Sequence, residues 1–181
     1  MVNTKNSEKE LVWLLEHESI YTAGTSAKDS DLINNKVEIR RTGRGGQWTW
    51  HGPGQRVVYL MLNLKNRLPD VKAYVHALEE LVILSLSDFN IYGVRIKNQP
   101  GVWVNTNNRL DKIAALGIRI SSWITYHGIS INLNPNFMEI VGWRKYFHWL
   151  CVPYVFIFRG IDGIPRCGVR RGAGGIPITL R

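Results

Sequence analysis

Three stretches hold side chains that could do chemistry. The first, RRTGRGGQWTWHGPGQ (residues 40–55), sets Gly43, Gly45, Gly46, Gly52 and Gly54 around Arg44 and His51. Glycines remove side chains, so a ligand can lie against the backbone and amides can point at it. Arg44 adds a fixed charge, and His51 offers a donor for a carbonyl oxygen. A phosphate loop is excluded, because GxxxxGK[ST] is absent and GRGGQW does not fit GxGxxG. A tight turn explains any one of these glycines but not the whole string. The second stretch, RLDKIAALGIRIS (109–121), places Lys112 just ahead of Ala114 and Ala115. Such a strand leaves room beside the ammonium group, although a solvated edge-strand lysine has the same spelling. The third, TYHGISINLN (125–134), carries a second His-Gly pair at His127 and Gly128. A lone histidine on an apolar strand is more often a core residue than a catalyst. Two thiols complete the set, Cys151 and Cys167. They make neither a disulfide framework nor, alone, a zinc site, so each is a small core residue or a reactive group.

Composition sets the frame for these groups. With 181 residues, 45% hydrophobic and 20% charged, the chain suits one domain with a sizeable core. The N-terminal MVNTKNSEKE lacks the apolar run of a signal peptide, and no stretch reaches the ~18 apolar residues of a membrane span. Cytoplasmic location and no membrane partner are the expectations. The net charge of +9 calls for an acidic partner. Residues 137–181 hold seven Lys/Arg against two Asp/Glu, so that tail supplies +5 of it. The basicity is therefore no interleaved nucleic-acid surface, and an acidic protein accounts for it.

The elements around the three stretches follow from pattern. ELVWLLEH (10–17) is short and apolar, and ESIYTAGTSA after it reads as a loop. KVEIRRTGRGG (36–46) predicts a strand entering a shaped glycine loop, and RVVYLMLNL (56–64) a central strand buried on both faces. Apolar residues at 71, 74, 75, 78, 81, 82 and 86 predict a helix within 69–91, with Asp70 as its N-cap. Three short strands follow over 93–121, with turns at 98–101 and 105–108, then another over 123–134. Sheet and helix mix without a βαβ rhythm, so the fold class is α+β, a mixed sheet with flanking helices in a single domain.

Together, LLEHESIYTAGTSA, RRTGRGGQWTWHGPGQ, GVWV, DKIAALGIRIS and WITYHGISINLNPN resemble the octanoyltransferases of lipoate synthesis. The resemblance runs from about residue 10 to Asn136. It implies the catalytic fold of biotin and lipoate protein ligases over one domain, 1–181. It also implies transfer of an octanoyl or lipoyl group from acyl-carrier protein to a lysine. The acceptors would be lipoyl domains of 2-oxoacid dehydrogenase complexes and the glycine-cleavage H protein. By position, the acyl-binding residues would be Arg44, Gly45, Gly46, Gln47, Trp48, Thr49, Trp50 and His51, with Ala115, Leu116, Gly117, Gly128, Ile129 and Ser130. Lys112 matches the family lysine that works with a cysteine nucleophile. Acyl transfer from thioester to amine goes well through a second thioester, since cysteine is a good nucleophile and a good leaving group. A nearby ammonium favours the thiolate, and the same lysine when neutral can deprotonate the acceptor amine. No cofactor, metal or nucleic acid enters this chemistry.

After Asn136 the resemblance stops. The family's nucleophile stands in a segment like FxGIVPCGI, followed by GVTSL. Here GIPRCGV followed by GGIPITL gives Cys167 that place, with Arg166 where the family has proline. Cys151, in WLCVPY, stands nearer Asn136 but lacks the following glycine. A third reading takes residues 137–181 as the product of a shifted reading frame, which would leave an inactive acyl-binding remnant. An ATP-dependent lipoate-protein ligase on the same fold is the other reading.

Overall fold

The computed structural model describes residues 10–32, 38–106 and 108–135, and the backbone of 176–180. Two sheets and one α-helix account for the described residues. The large sheet is built from β1 (Glu10–Leu15), β5 (Gln55–Met61), β6 (Gly93–Ile96), β7 (Gln99–Thr106), β8 (Arg109–Ser121), β9 (Ile124–Asn132) and β10 (Ile176–Leu180). Its order is β10-β1-β5-β9-β8-β7-β6, and every neighbouring pair is antiparallel. The small sheet has the order β3-β2-β4, from β2 (Ile20–Ala23), β3 (Glu38–Arg41) and β4 (Trp48–His51). This is the α+β class that the sequence predicts.

Helix α1 (Val71–Ser87) starts where the pattern places it. Asp70 Oδ1 accepts from the Lys72 and Ala73 amides at 2.7 and 3.1 Å, satisfying two of the free N–H groups of the first turn. Tyr74, Leu78, Val82 and Leu86, spaced four apart, form one buried stripe. That stripe packs on Val58, Leu60, Val102, Val104, Ile113, Ala114, Ile129 and Ile131 of the sheet. Each such side chain contributes roughly 1.5–3 kcal/mol on burial, so this layer anchors the large sheet. The helix covers one face, and the other face is left for the small sheet. Among the described residues, no helix is long and apolar enough to cross a membrane.

Several elements differ from the sequence expectation. ESIYTAGTSA is not all loop, because Ile20–Ala23 is β2, the middle strand of the small sheet. Its Tyr21 and Ala23 pack with Trp48 and Trp50 in a second core, which turns a polar-looking stretch into a strand. The glycine loop is shorter than it reads, since Trp48–His51 is already β4. β8 is one long strand of 13 residues rather than a short one.

Candidate functional site

The cleft lies between the small sheet and the face of the large one opposite α1. Thr22, Thr42, Arg44, Thr49 and His51 line it from one side. Tyr59, Ala115, Leu116, Gly117, His127, Gly128, Ile129 and Ser130 line it from the other. Of the residues singled out in sequence, Arg44, Thr49, His51, Ala115, Leu116, Gly117, Gly128, Ile129 and Ser130 meet here.

Strand alternation in WTWH decides which side chains reach the cleft. Thr49 and His51 face it, whereas Trp48 and Trp50 turn to the second core with Tyr21 and Ala23. The two indoles are hydrogen-bonded there, Trp48 Nε1 to the Lys28 carbonyl at 2.7 Å and Trp50 Nε1 to Ser19 Oγ at 2.9 Å. The indoles therefore back the cleft from behind. Gly45 and Gly46 act through backbone: the Gly45 amide donates to the Ile118 carbonyl at 3.0 Å, and the Gly46 carbonyl accepts from the Ser26 amide at 3.0 Å. These bonds tie the glycine loop to β8 on one side and to the turn after β2 on the other. Gln47, too, contributes its carbonyl, to the Gly24 amide at 3.1 Å, and is not among the lining residues.

Arg44 is buried and held by β2. Nη2 donates to the Thr22 carbonyl at 2.6 Å and to Thr22 Oγ1 at 2.9 Å, and Nη1 donates to the Gly45 carbonyl at 3.0 Å. No carboxylate pairs with it among the described residues. Burial lowers its pKa to about 10, so it stays charged at neutral pH. The imidazoles are neutral there. Burial takes His51 down to about 4 and lowers His17 as well. For His127, burial comes first and the charges of Arg44 and Arg119 add to it. His51 Nδ1 donates to Gln55 Oε1 at 2.6 Å, while Gln55 Nε2 donates to Asn132 Oδ1 at 2.9 Å. That tautomer leaves His51 Nε2 as a lone pair, an acceptor rather than the carbonyl donor expected from sequence.

Lys112 reaches the same face by an irregularity. It lies three residues before Ala115, which in a regular strand would put the two on opposite faces. Between β7 and β8 the register shifts: Trp103 pairs with Lys112, but Val102 pairs with Ala114. The extra residue, Ile113, is a bulge that sends Ile113 and Ala114 both into the helix-side core. Lys112 thereby returns to the cleft face with Ala115 and Gly117. It is 7% exposed, its Nζ donates to the Pro100 carbonyl at 2.9 Å, and it sits 4.6 Å from the Trp103 ring centroid. Burial lowers its pKa to about 8, against the opposing pull of Glu79. Gly101 makes room: at φ 125° it has no Cβ to meet the Ala114 carbonyl at 2.6 Å and Lys112 Cε at 3.2 Å. Lys112 is beside the cleft but not among the residues that line it. Cys167 and Cys151 lie outside the described residues.

Four lining residues were not singled out in sequence as binding residues: Thr22, Thr42, Tyr59 and His127. In sequence, the His127-Gly128 pair reads as a core histidine on an apolar strand. His127 is held instead at φ 62°, with its ring 6.2 Å from that of Tyr59. Tyr59 could be found from alternation alone, since Val58 and Leu60 on either side face the helix. Its hydroxyl meets His17 Nε2 at 2.7 Å. Among the described residues, no cluster of His, Cys, Asp or Glu could hold a metal ion.

The chain is similar to several known proteins. The octanoyltransferase of Bradyrhizobium diazoefficiens is 53% identical over 137 residues, covering 74% of this chain and 55% of that protein. The octanoyltransferase of Wolbachia sp. subsp. Brugia malayi is 51% identical over 138 residues, 76% of this chain and 67% of that one. The chain thus spans between about half and two thirds of the length of these curated relatives. In fold it is similar to a bipartite lipoate protein ligase from Thermoplasma acidophilum, with a TM-score of 0.63 at 12% identity, over 77% of this chain and 55% of that one. A lipoate-protein ligase A bound with ATP gives 0.63 at 13% identity, over 81% and 64%. These last two likenesses establish the fold alone. The lipoyl protein ligase A/B catalytic domain matches residues 1–152, and the chain belongs to that family.

Proposed function

We propose that this chain is an octanoyltransferase of protein lipoylation. It takes an octanoyl or lipoyl group from acyl-carrier protein and passes it to a lysine of a lipoyl domain or of the glycine-cleavage H protein. The reading treats residues 1–181 as one cytoplasmic catalytic domain that needs no cofactor, nucleic acid or membrane. The observation that carries it is the bulged Lys112, buried beside a glycine-floored cleft at a pKa of about 8. A lysine with that pKa is roughly one-tenth neutral at pH 7, so it can serve both as ammonium and as base.

Two steps follow. A cysteine thiolate, Cys167 in this reading and Cys151 as the alternative, attacks the thioester carbonyl and expels the carrier thiolate, which takes a proton. The acceptor amine, deprotonated by neutral Lys112, then attacks the enzyme thioester and returns the cysteine as leaving group. Gly117 of β8 and Gly128 of β9 would let the acyl chain lie against the backbone. The +9 net charge suits an acidic carrier protein.

The test is octanoyl transfer from octanoyl-acyl-carrier protein to a purified lipoyl domain, read by mass with and without ATP. Transfer without ATP, falling at least 100-fold in Lys112→Met, is the expected result. Modification that appears only with ATP and free octanoate would replace this reading with a ligase.

A further inference from the structure

The geometry points to Tyr59, pinned by His17, as the end wall of the acyl cleft and the residue that sets the longest chain accepted. The inference rests on the acyl reading of the cleft and adds the element that measures the chain.

The registers of β5, β9 and β8 divide the cleft floor into rows. Val57 pairs with Ser130 and Ser130 with Ala115, which gives a row of one bulky and two small side chains. The next row, farther from Lys112, is Tyr59, Gly128 and Gly117. Two of its three positions have no side chain, and the third carries a large aromatic ring. Arg44 roofs the same row, since a Cβ on Gly117 would stand 3.0 Å from Arg44 Cδ. A chain running from Lys112 along the floor therefore meets Tyr59 where the floor is barest.

The ring cannot swing aside. Its hydroxyl meets His17 Nε2 at 2.7 Å. The rings of His17, Trp13 and His127 stand around it, with centroids at 5.9, 6.2 and 6.2 Å. Both the hydroxyl and the edges of the ring are thus fixed by neighbours, as a wall must be.

Rows on one face of a strand are about 6.6 Å apart. An extended hydrocarbon advances about 1.25 Å per carbon, from a 1.52 Å bond at a tetrahedral angle. One further row is therefore worth about five carbons, and a partial opening worth two to four.

The test is calorimetric binding of pantetheine analogues carrying hexanoyl, octanoyl, decanoyl and dodecanoyl chains through an amide, with nitrogen in place of the thioester sulfur so that no transfer occurs. Tyr59→Leu, which shortens the wall, should shift the preferred chain two to four carbons upward and improve dodecanoyl binding relative to octanoyl at least tenfold. Tyr59→Phe, which keeps the ring, should leave the preference in place. Gly117→Ala, which raises the floor under Arg44, should shift it downward and gives an independent readout should Tyr59→Leu not fold. A wild-type chain that binds none of the four refutes the acyl reading, and the wall with it. Octanoyl binding with the same ranking in whichever of Tyr59→Leu and Gly117→Ala folds overturns the wall alone.

Discussion

Replacing Lys112 by methionine should change how stability depends on pH, and the size of that change follows from the site. Burial moves the ammonium from 10.5 to about 8 in the folded chain. At about 1.36 kcal/mol per unit, the charged form is disfavoured by about 3 kcal/mol. The unfolded chain keeps an ordinary lysine, so between about pH 8 and 10.5 it binds more protons than the folded one. Stability attributable to this group therefore rises with pH across that window. The penalty is absent above 10.5, grows as pH falls, and is complete below about 8. Methionine has no such slope. Urea denaturation of both proteins at pH 7, 8, 9 and 10 isolates it, because all other titrations cancel in the difference. Wild type should gain about 2 kcal/mol on Lys112→Met between pH 8 and 10. Glu79, whose charge raises the Lys112 pKa, sharpens the test. In Glu79→Gln the rise should begin at lower pH. Parallel curves for wild type and Lys112→Met would refute the burial argument and return Lys112 to an ordinary lysine.

Three further outcomes follow from the described structure. Asp70→Ala removes the acceptor for two N-terminal amides of α1 and should cost about 1 kcal/mol in urea denaturation. Gly101→Ala forces a Cβ to within 2.6 Å of the Ala114 carbonyl at φ 125°. It should cost about 1–3 kcal/mol and, by crowding Lys112 Cε, move the Lys112 pKa, read by NMR of isotopically labelled lysine. His51, at about 4 against an ordinary 6.5, makes the folded chain bind fewer protons in that range. Stability should therefore fall as pH drops through 6.5 toward 4, and His51→Gln should remove part of that slope.

The sequence was legible where one local rule governs. Asp70 and the four-spaced apolar stripe fix α1 without help from the rest of the chain. Arg44, Thr49 and His51 of the glycine-rich stretch and residues 115–117 and 128–130 do line one cleft, whereas the glycines of that stretch do not. What stayed hidden depends on partners distant in sequence. Thr22 looks like loop because β2 is short, and its strand character comes from pairing with β3 and β4. The strand Ile176–Leu180 takes its place only by pairing with β1 at the start of the chain. The bulge at Ile113 follows from the registry of β7 on β8, so parity alone puts Lys112 on the wrong face. Trp48 and Trp50 match the family motif by position, yet alternation along β4 places them behind the cleft rather than in it.

The most direct test of the transferase account is the intact mass of the protein after incubation with octanoyl-acyl-carrier protein, for wild type, Cys167→Ser and Cys151→Ser. The account predicts a thioester-linked octanoyl adduct on wild type and Cys151→Ser that is absent from Cys167→Ser. Loss only in Cys151→Ser would move the nucleophile to that residue. No adduct on folded wild type would contradict acyl transfer through a cysteine and leave the cleft as an acyl-binding remnant.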